Sequence, residues 1–211
     1  MTLHVPRPFA VDDRAALFAL IDAHPFATLV TAAAPEPIVT HLPLIRETGE
    51  SLVGHFARAN PHAQVASHGP SLAIFHGPHA YVSPTWYADP ERAVPTWNFA
   101  AVHARGTLAT LAGDDAERVL DALVARFEGT GPAAWRFAMT GRERAAMLSG
   151  IVAFRLHVDT LTGKFKLSQN RPTADRRRVI AALDAAPQAD ARAAAAWMRA
   201  WAAPDDDTGT H

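Results

Sequence analysis

The sequence predicts an α+β fold, mainly β: a closed or partly closed β-barrel decorated by peripheral helices. Three observations carry this expectation. Short segments rich in β-branched and aromatic residues, divided by Pro, Gly or polar turns, fill the first half of the chain. Two amphipathic helical segments then interrupt, and a clearly alternating strand returns after them. At 211 residues and 49% hydrophobic, with no dividing linker or internal repeat, the chain has the material for one substantial core. Many short strands followed by helices and a returning strand match a small decorated barrel.

The elements follow in order. VDDRAALFALIDAHP, from Val11, reads as a short helix. Asp12 or Asp13 caps it, Leu17, Leu20 and Ile21 share one face, and Pro25 stops it. FATLVTAA (26–33), PIVTHLPLI (37–45), SLVGHFARA (51–59) and SLAIFHG (71–77) read as strands. WNFAAVHARGTLATL (97–111) is a longer one, with Gly106 marking a bulge or bend. DDAERVLDALVARFEG is a helix with a capping-box pattern at Asp114 and Glu117 and an end at Gly129. Its apolar face is Val119, Leu120, Leu123, Val124 and Phe127. TGRERAAMLSG repeats the device between Thr140 and Gly150. In IVAFRLHVD (151–159), Val152, Phe154, Leu156 and Val158 form one face, and Phe165 and Leu167 of GKFKLSQ continue the alternation. Residues 1–183 are expected to form the barrel domain. Residues 184–211 form an Ala-rich helical tail, and the last residues, PDDDTGTH, are expected to be disordered.

Composition removes several function classes. The net charge of −1 supplies no global basic field for nucleic acid. Without cysteine there is no disulfide, thiolate metal site or Cys nucleophile. The first residues lack the order of a signal peptide, and no apolar run reaches the roughly 18–20 residues of a membrane span, so a soluble cytoplasmic protein without membrane contact is expected. His76 and His79 form H-x-x-H, but no HExxH or matched acidic ligand accompanies them, so no metal is expected. No G-x-S-x-G, GxGxxG or Walker A loop is present. Arg176, Arg177 and Arg178 lead a helix broken at Pro187, followed by a second, mostly Ala. The pair matches a helix-turn-helix only in outline, because the second helix lacks base-reading side chains.

Three stretches concentrate hydrogen-bonding and aromatic groups. In FARANPH, Arg58, Asn60 and His62 cluster at a strand end, either gripping a ligand or forming a polar turn. HGPHAYVSPTWY and VPTWNFAAVH gather Tyr81, Trp86, Tyr87, Trp97 and Phe99 beside Ser83, Thr85, Thr96 and Asn98. Such a set suits stacking and edge bonding of a flat heterocycle, or anchors a loop or a dimer interface. GKFKLSQNR puts Lys164 and Lys166 on one strand face and follows them with Ser168, Gln169 and Asn170. The lysines alone fit a protected strand edge; the Ser-Gln-Asn run turns the balance towards a site for a phosphorylated planar ligand.

Taken together, PFATLVT, THLPL, GHFARANP, IFHGPHAYVSPTWY, VPTWNFAAVH, GKFKLSQNR and the following Asp175-Arg176 resemble, in order, the PaiB-type family of FMN-binding negative transcriptional regulators. The resemblance covers roughly residues 1–183. It implies an FMN-binding split β-barrel, a homodimer with the cofactor at the subunit interface, and a possible DNA or regulatory partner. It implies FMN or a related flavin as cofactor. Carried over by motif, Arg58 and Asn60 would lie at the phosphate end and Thr40, His41 and Leu42 along the ring. Trp97, Asn98, Lys166, Ser168, Gln169 and Asn170 would close the pocket, from the partner subunit in one arrangement. A flavin-dependent oxidoreductase and a haem-binding split barrel are the alternatives, and no residue is assigned as a catalytic acid or base.

Overall fold

The computed structural model describes residues 3–66 and 69–201. Eight strands form one sheet: β1 (Ala10–Val11), β2 (Phe26–Thr31), β3 (Ile38–Pro43), β4 (Ile45–Arg46), β5 (Ser51–Ala57), β6 (Pro70–Val82), β7 (Thr96–Leu111) and β8 (Ile151–Lys166). Their order is β3-β2-β6-β7-β8-β5-β4, with β1 paired to β8. The helices are α1 (Arg14–Ala23), α2 (His62–Val65), α3 (Asp114–Glu128), α4 (Gly141–Ser149), α5 (Thr173–Asp184) and α6 (Ala189–Ala200). By contacts the chain divides into two compact units. Among the described residues, the first holds those within 3–16, 76–102 and 162–201, and the second those within 17–75 and 103–161. Both C-terminal helices fall in the first unit.

In the second unit, the predicted helix and strands form where their periodicity places them. Leu17, Leu20 and Ile21 are the buried face of α1. β2 pairs antiparallel with β3 (Thr28 opposite His41) and with β6 (Thr31 opposite Ser71). β5 pairs antiparallel with β8, Phe56 opposite Val152. The sheet curls until β5 passes against the end of β3. A Cβ on Gly54 would sit 3.0 Å from the Pro43 carbonyl oxygen and 2.7 Å from a Leu44 methyl. Helix α3 lays Val119 and Leu123 on Ile45, Val53 and Ala153, a small core under one side of the sheet. Arg144 of α4 pairs with Glu117 and with Asp121 (2.8 Å), tying the two interrupting helices together.

Three details of this unit differ from expectation. Asp114 does not cap α3: the N-cap is Gly113 at φ +57°, with no side-chain cap bond, and Glu117 is taken by Arg144. A glycine in the left-handed region makes the turn that the capping box would otherwise organise. Thr140 is the N-cap of α4, again without a side-chain bond. Phe127, placed on the apolar face by spacing, is 52% exposed, because α3 is covered only along Val119, Leu120 and Leu123. The end at Gly129 is as expected: its φ is +84° and its N–H reaches the Ala125 carbonyl oxygen at 3.0 Å.

In the first unit, β1 pairs with the end of β8 (Ala10 opposite Lys164). The strand expected to end at residue 77 runs on to Val82 as β6, so HGPHAYV is strand rather than loop. Helices α5 and α6 form a hairpin on either side of Pro187, with Val179, Leu183, Ala191, Ala194, Ala195 and Met198 buried. Trp197 and Trp201 meet the Phe165 ring edge-on, centroids 5.3 and 4.8 Å away. The Ala-rich tail is therefore packed through residue 201, and the expected disordered end lies outside the described residues. Among the described residues no helix is long and apolar enough to cross a membrane.

Candidate functional site

The motif residues fall into two sets, one in each unit. In the second unit the strands converge on a buried hydrogen-bond chain. Asn60 donates from Nδ2 to Thr40 Oγ1 (3.1 Å) and accepts the His62 backbone N–H at its Oδ1 (2.9 Å). His62 Nδ1 lies 2.9 Å from Thr40 Oγ1, and its Nε2 lies 2.7 Å from Thr31 Oγ1. Thr31 Oγ1 lies 2.6 Å from Ser71 Oγ. Asn60 spends an N–H on Thr40. A threonine hydroxyl both donates and accepts, so Thr40 and Thr31 hold the His62 ring in either neutral tautomer. His62 is fully buried and stacks on Phe56 at 4.7 Å, and desolvation pushes its pKa below the ordinary histidine value.

The other motif residues of this unit have structural partners. Arg58 donates from Nε to the Ser149 carbonyl oxygen and from Nη2 to that of Ile151 (2.7 Å), and its backbone N–H reaches Gly150 O (2.8 Å). It thereby clasps the turn between α4 and β8 with donors that sequence reading offered to a phosphate. His41 is exposed and pairs with Thr28 across the strands (Nδ1 to Oγ1, 3.1 Å). Leu42 is buried in the core beside Gly54.

In the first unit, Asn98 and Ser168 bond reciprocally and are fully buried or nearly so. Asn98 Nδ2 donates to Ser168 Oγ (2.9 Å), which donates back to Asn98 Oδ1 (3.1 Å). Asn98 Nδ2 also approaches Met198 Sδ at 3.3 Å, which fastens α6. Ser168 sits at φ +63°, a conformation uncommon for a residue with a Cβ, and the Asn98 pair holds it there. Gln169 turns back on its own strand end, accepting from Leu167 N–H (2.7 Å) and donating to the Phe165 carbonyl oxygen. Ser168 and Gln169 therefore build the bend after β8, while Asn170 is exposed.

Lys166 is different. It is half-buried, and its ammonium donates to Thr96 Oγ1 and the Trp97 carbonyl oxygen, both at 2.7 Å. Desolvation, then the charges of Lys164 and Arg171, push its pKa below the ordinary lysine value. Lys164 lies 5.4 Å from the Phe99 ring centroid, Lys166 5.8 Å from that of Phe9, and Arg171 4.5 Å from that of Tyr87. Among the described residues none of these three cations is in an ion pair with a carboxylate. A part-buried cluster of positive charge with no carboxylate is matched to an anion. Trp97, 54% exposed, lies beside Tyr81 with centroids 6.1 Å apart at 73°. The cations and aromatic rings thus fit a phosphorylated, planar cofactor. Arg171 was not singled out as a site residue; its signal was its place at the end of the GKFKLSQNR string.

The architecture matches solved structures whose sequences have drifted far. It superposes with a TM-score of 0.59 on the "FAD and Heme binding protein" of Mycobacterium smegmatis, 24% identical, over 74% of this chain and 73% of that one. It superposes at 0.62 on the "Flavocytochrome Anf3" of Azotobacter vinelandii, 19% identical, over 77% of this chain and 72% of that one. The fold is the split β-barrel of flavin-binding proteins. Residues 3–160 match the family described as "Putative FMN-binding domain". The chain is also 33% identical to "Protease synthase and sporulation protein PAI 2" of Bacillus subtilis (strain 168), over 84% of its own length and 87% of that protein's. It belongs to the PaiB-type FMN-binding family.

Proposed function

We propose that this protein binds FMN or a closely related flavin and acts as a PaiB-type regulator. The observation that carries the proposal is the part-buried Lys166, flanked by Lys164 and Arg171 and lacking a carboxylate partner among the described residues. Lys166, Lys164 and Arg171 would hold the phosphate, with Trp97 available to the ring. When bound, the flavin supplies redox chemistry, and the chain orients it and sets its electrostatic surroundings. The relatives' names support the cofactor class, and the PAI 2 name supports regulation. The proposal includes a homodimer in which each subunit completes the other's cofactor site, in the cytoplasm.

The regulatory step runs through a partner or through DNA. The basic start of α5 offers little to DNA directly: Arg178 pairs with Asp175 at 3.1 Å, and Arg176 is half-buried. Direct DNA binding would show as salt-dependent retention of promoter fragments that weakens in an Arg176–Arg178 variant.

The visible spectrum of the purified chain, before and after addition of FMN, tests the cofactor. Flavin bands are expected, and Lys166→Ala is expected to weaken FMN binding by about 10- to 100-fold, the loss of one charge-assisted contact. A colourless chain that ignores FMN would sink the flavin reading. A Soret band in its place would assign haem.

A further inference from the structure

The C-terminal hairpin forms one wall of a cavity of about 470 Å³ in the first unit. That size lies within the roughly 300–1,000 Å³ of small-molecule sites. The other wall is aromatic. Tyr81 and Trp97 meet at a steep angle, the His79 ring lies 6.2 Å from that of Trp97, and Trp86 joins them from the 3-10 turn Pro84–Trp86. That turn is held in shape by Ser83, whose Oγ accepts the Thr85 backbone N–H at 3.3 Å. The hairpin is held equally firmly, by Asn98 on Met198 and by Phe165 between Trp197 and Trp201. Both walls are thus fixed before any ligand arrives.

The polar content of the lining is one-sided. Asp190, in the first turn of α6, contributes a carboxylate that is in no ion pair among the described residues. Gln188 caps α6 by its backbone and leaves its amide side chain unspent on the cap. Among the described residues no lysine or arginine lines the cavity, so a phosphate would find no cationic partner among them. Aromatic faces carry negative potential and attract cations, most strongly where water is partly excluded. Tyr81 and Trp97 are 46% and 54% exposed, area that a ligand would cover. The hairpin wall lies beyond the span matched to the family, which ends at residue 160.

We propose that this cavity binds a small organic cation, a quaternary or protonated amine, against Tyr81, Trp86 and Trp97, with Asp190 as its counter-ion. The cavity shares Trp97 with the flavin reading, but Trp86 and Asp190 have no part in that reading, so the proposal does not depend on it. Calorimetric titration of the full chain with choline tests it, beside 3,3-dimethylbutan-1-ol, which has the same shape with carbon in place of the charged nitrogen. Choline is expected to bind one to one and about ten-fold more tightly than the alcohol. Asp190→Asn and Trp86→Ala are each expected to weaken choline several-fold and to leave the FMN titration unchanged. Asp190 is exposed, so its variant reads the site even if Trp86→Ala folds poorly. Equal affinity for choline and the alcohol would overturn the proposal, as would no uptake of choline. A change in FMN affinity in the Asp190→Asn variant would also overturn it, by making the Asp190 wall part of the flavin site. A chain that takes up choline but not FMN would support the cavity and sink the flavin reading alone.

Discussion

Gly106→Ala is expected to cost more than about 4 kcal/mol, a large share of the roughly 5–15 kcal/mol that holds a domain folded. The added methyl would sit 1.8 Å from the His157 carbonyl oxygen, 2.8 Å from its carbon and 3.1 Å from Val158 Cα. All three atoms are backbone of β8, the sheet neighbour of β7. No rotamer change relieves such a contact. The strands must part by more than an ångström, and the ladder between them opens. Gly54→Ala is the graded comparison. Its nearest obstacle, at 2.7 Å, is the tip of the Leu44 side chain, which can turn aside, although the Pro43 oxygen stays at 3.0 Å. A cost of about 1–3 kcal/mol is expected there. Urea unfolding should order the midpoints as wild type, Gly54→Ala, Gly106→Ala. Equal midpoints for the Gly106 variant and wild type would show that the two strands do not pass so closely.

His62→Ala is expected to cost about 3–5 kcal/mol, combining a cavity beside Phe56 with the buried Thr31 hydroxyl and the half-buried Thr40 hydroxyl left without their partner. The same ring makes stability depend on pH. Burial lowers its folded-state pKa below the unfolded value near 6.5, so on acidification the unfolded chain takes up the proton first. The contribution is whole above pH ~6.5 and is lost as pH falls from there towards the folded pKa, at up to about 1.4 kcal/mol per pH unit for each histidine. Protonation also makes both ring nitrogens donors, so neither the Thr40 nor the Thr31 hydroxyl has an acceptor left on the ring. His24 and His55 are shifted in the same direction by burial and add to the slope. Glu47 and Asp184, lowered by their arginine partners Arg155 and Arg199, act only at more acidic pH. Unfolding midpoints at about pH 7.5 and about pH 5 should therefore differ, and His62→Gln should reduce the difference without removing it. An unchanged slope in that variant would take His62 out of the pH response.

The two motif-rich strings show how far one-dimensional reading carries. FARANPH and GKFKLSQNR marked places where polar groups gather, and the structure gathers them. FARANPH reads as a ligand grip or a polar turn, and GKFKLSQNR as a ligand site. In the structure Arg58 clasps carbonyl oxygens at the α4–β8 turn, and Gln169 folds onto its own backbone. Both outcomes follow from the same cause. Backbone groups freed where a strand or helix ends need partners, and the nearest long polar side chain supplies them at less entropic cost than a ligand does. Nothing in the residue order distinguishes an arginine so used from one left for a phosphate, because Ser149 and Ile151 lie some ninety residues away.

What the sequence by itself determined was local: the period-2 strands, the apolar stripe of α1, the glycine stop of α3, the break at Pro187 and the family-wide motif order. Those signals lie within a few residues of one another, where backbone sterics and side-chain alternation act. Only the tertiary structure decided which polar groups pair. It set Asn98 against Ser168 and Met198, closed the buried chain from Asn60 to Ser71, left Lys166 among cations, and turned an Ala-rich tail into a cavity wall. These outcomes depend on strand register and on contacts between distant segments, and burial makes each pairing worth more than local preference.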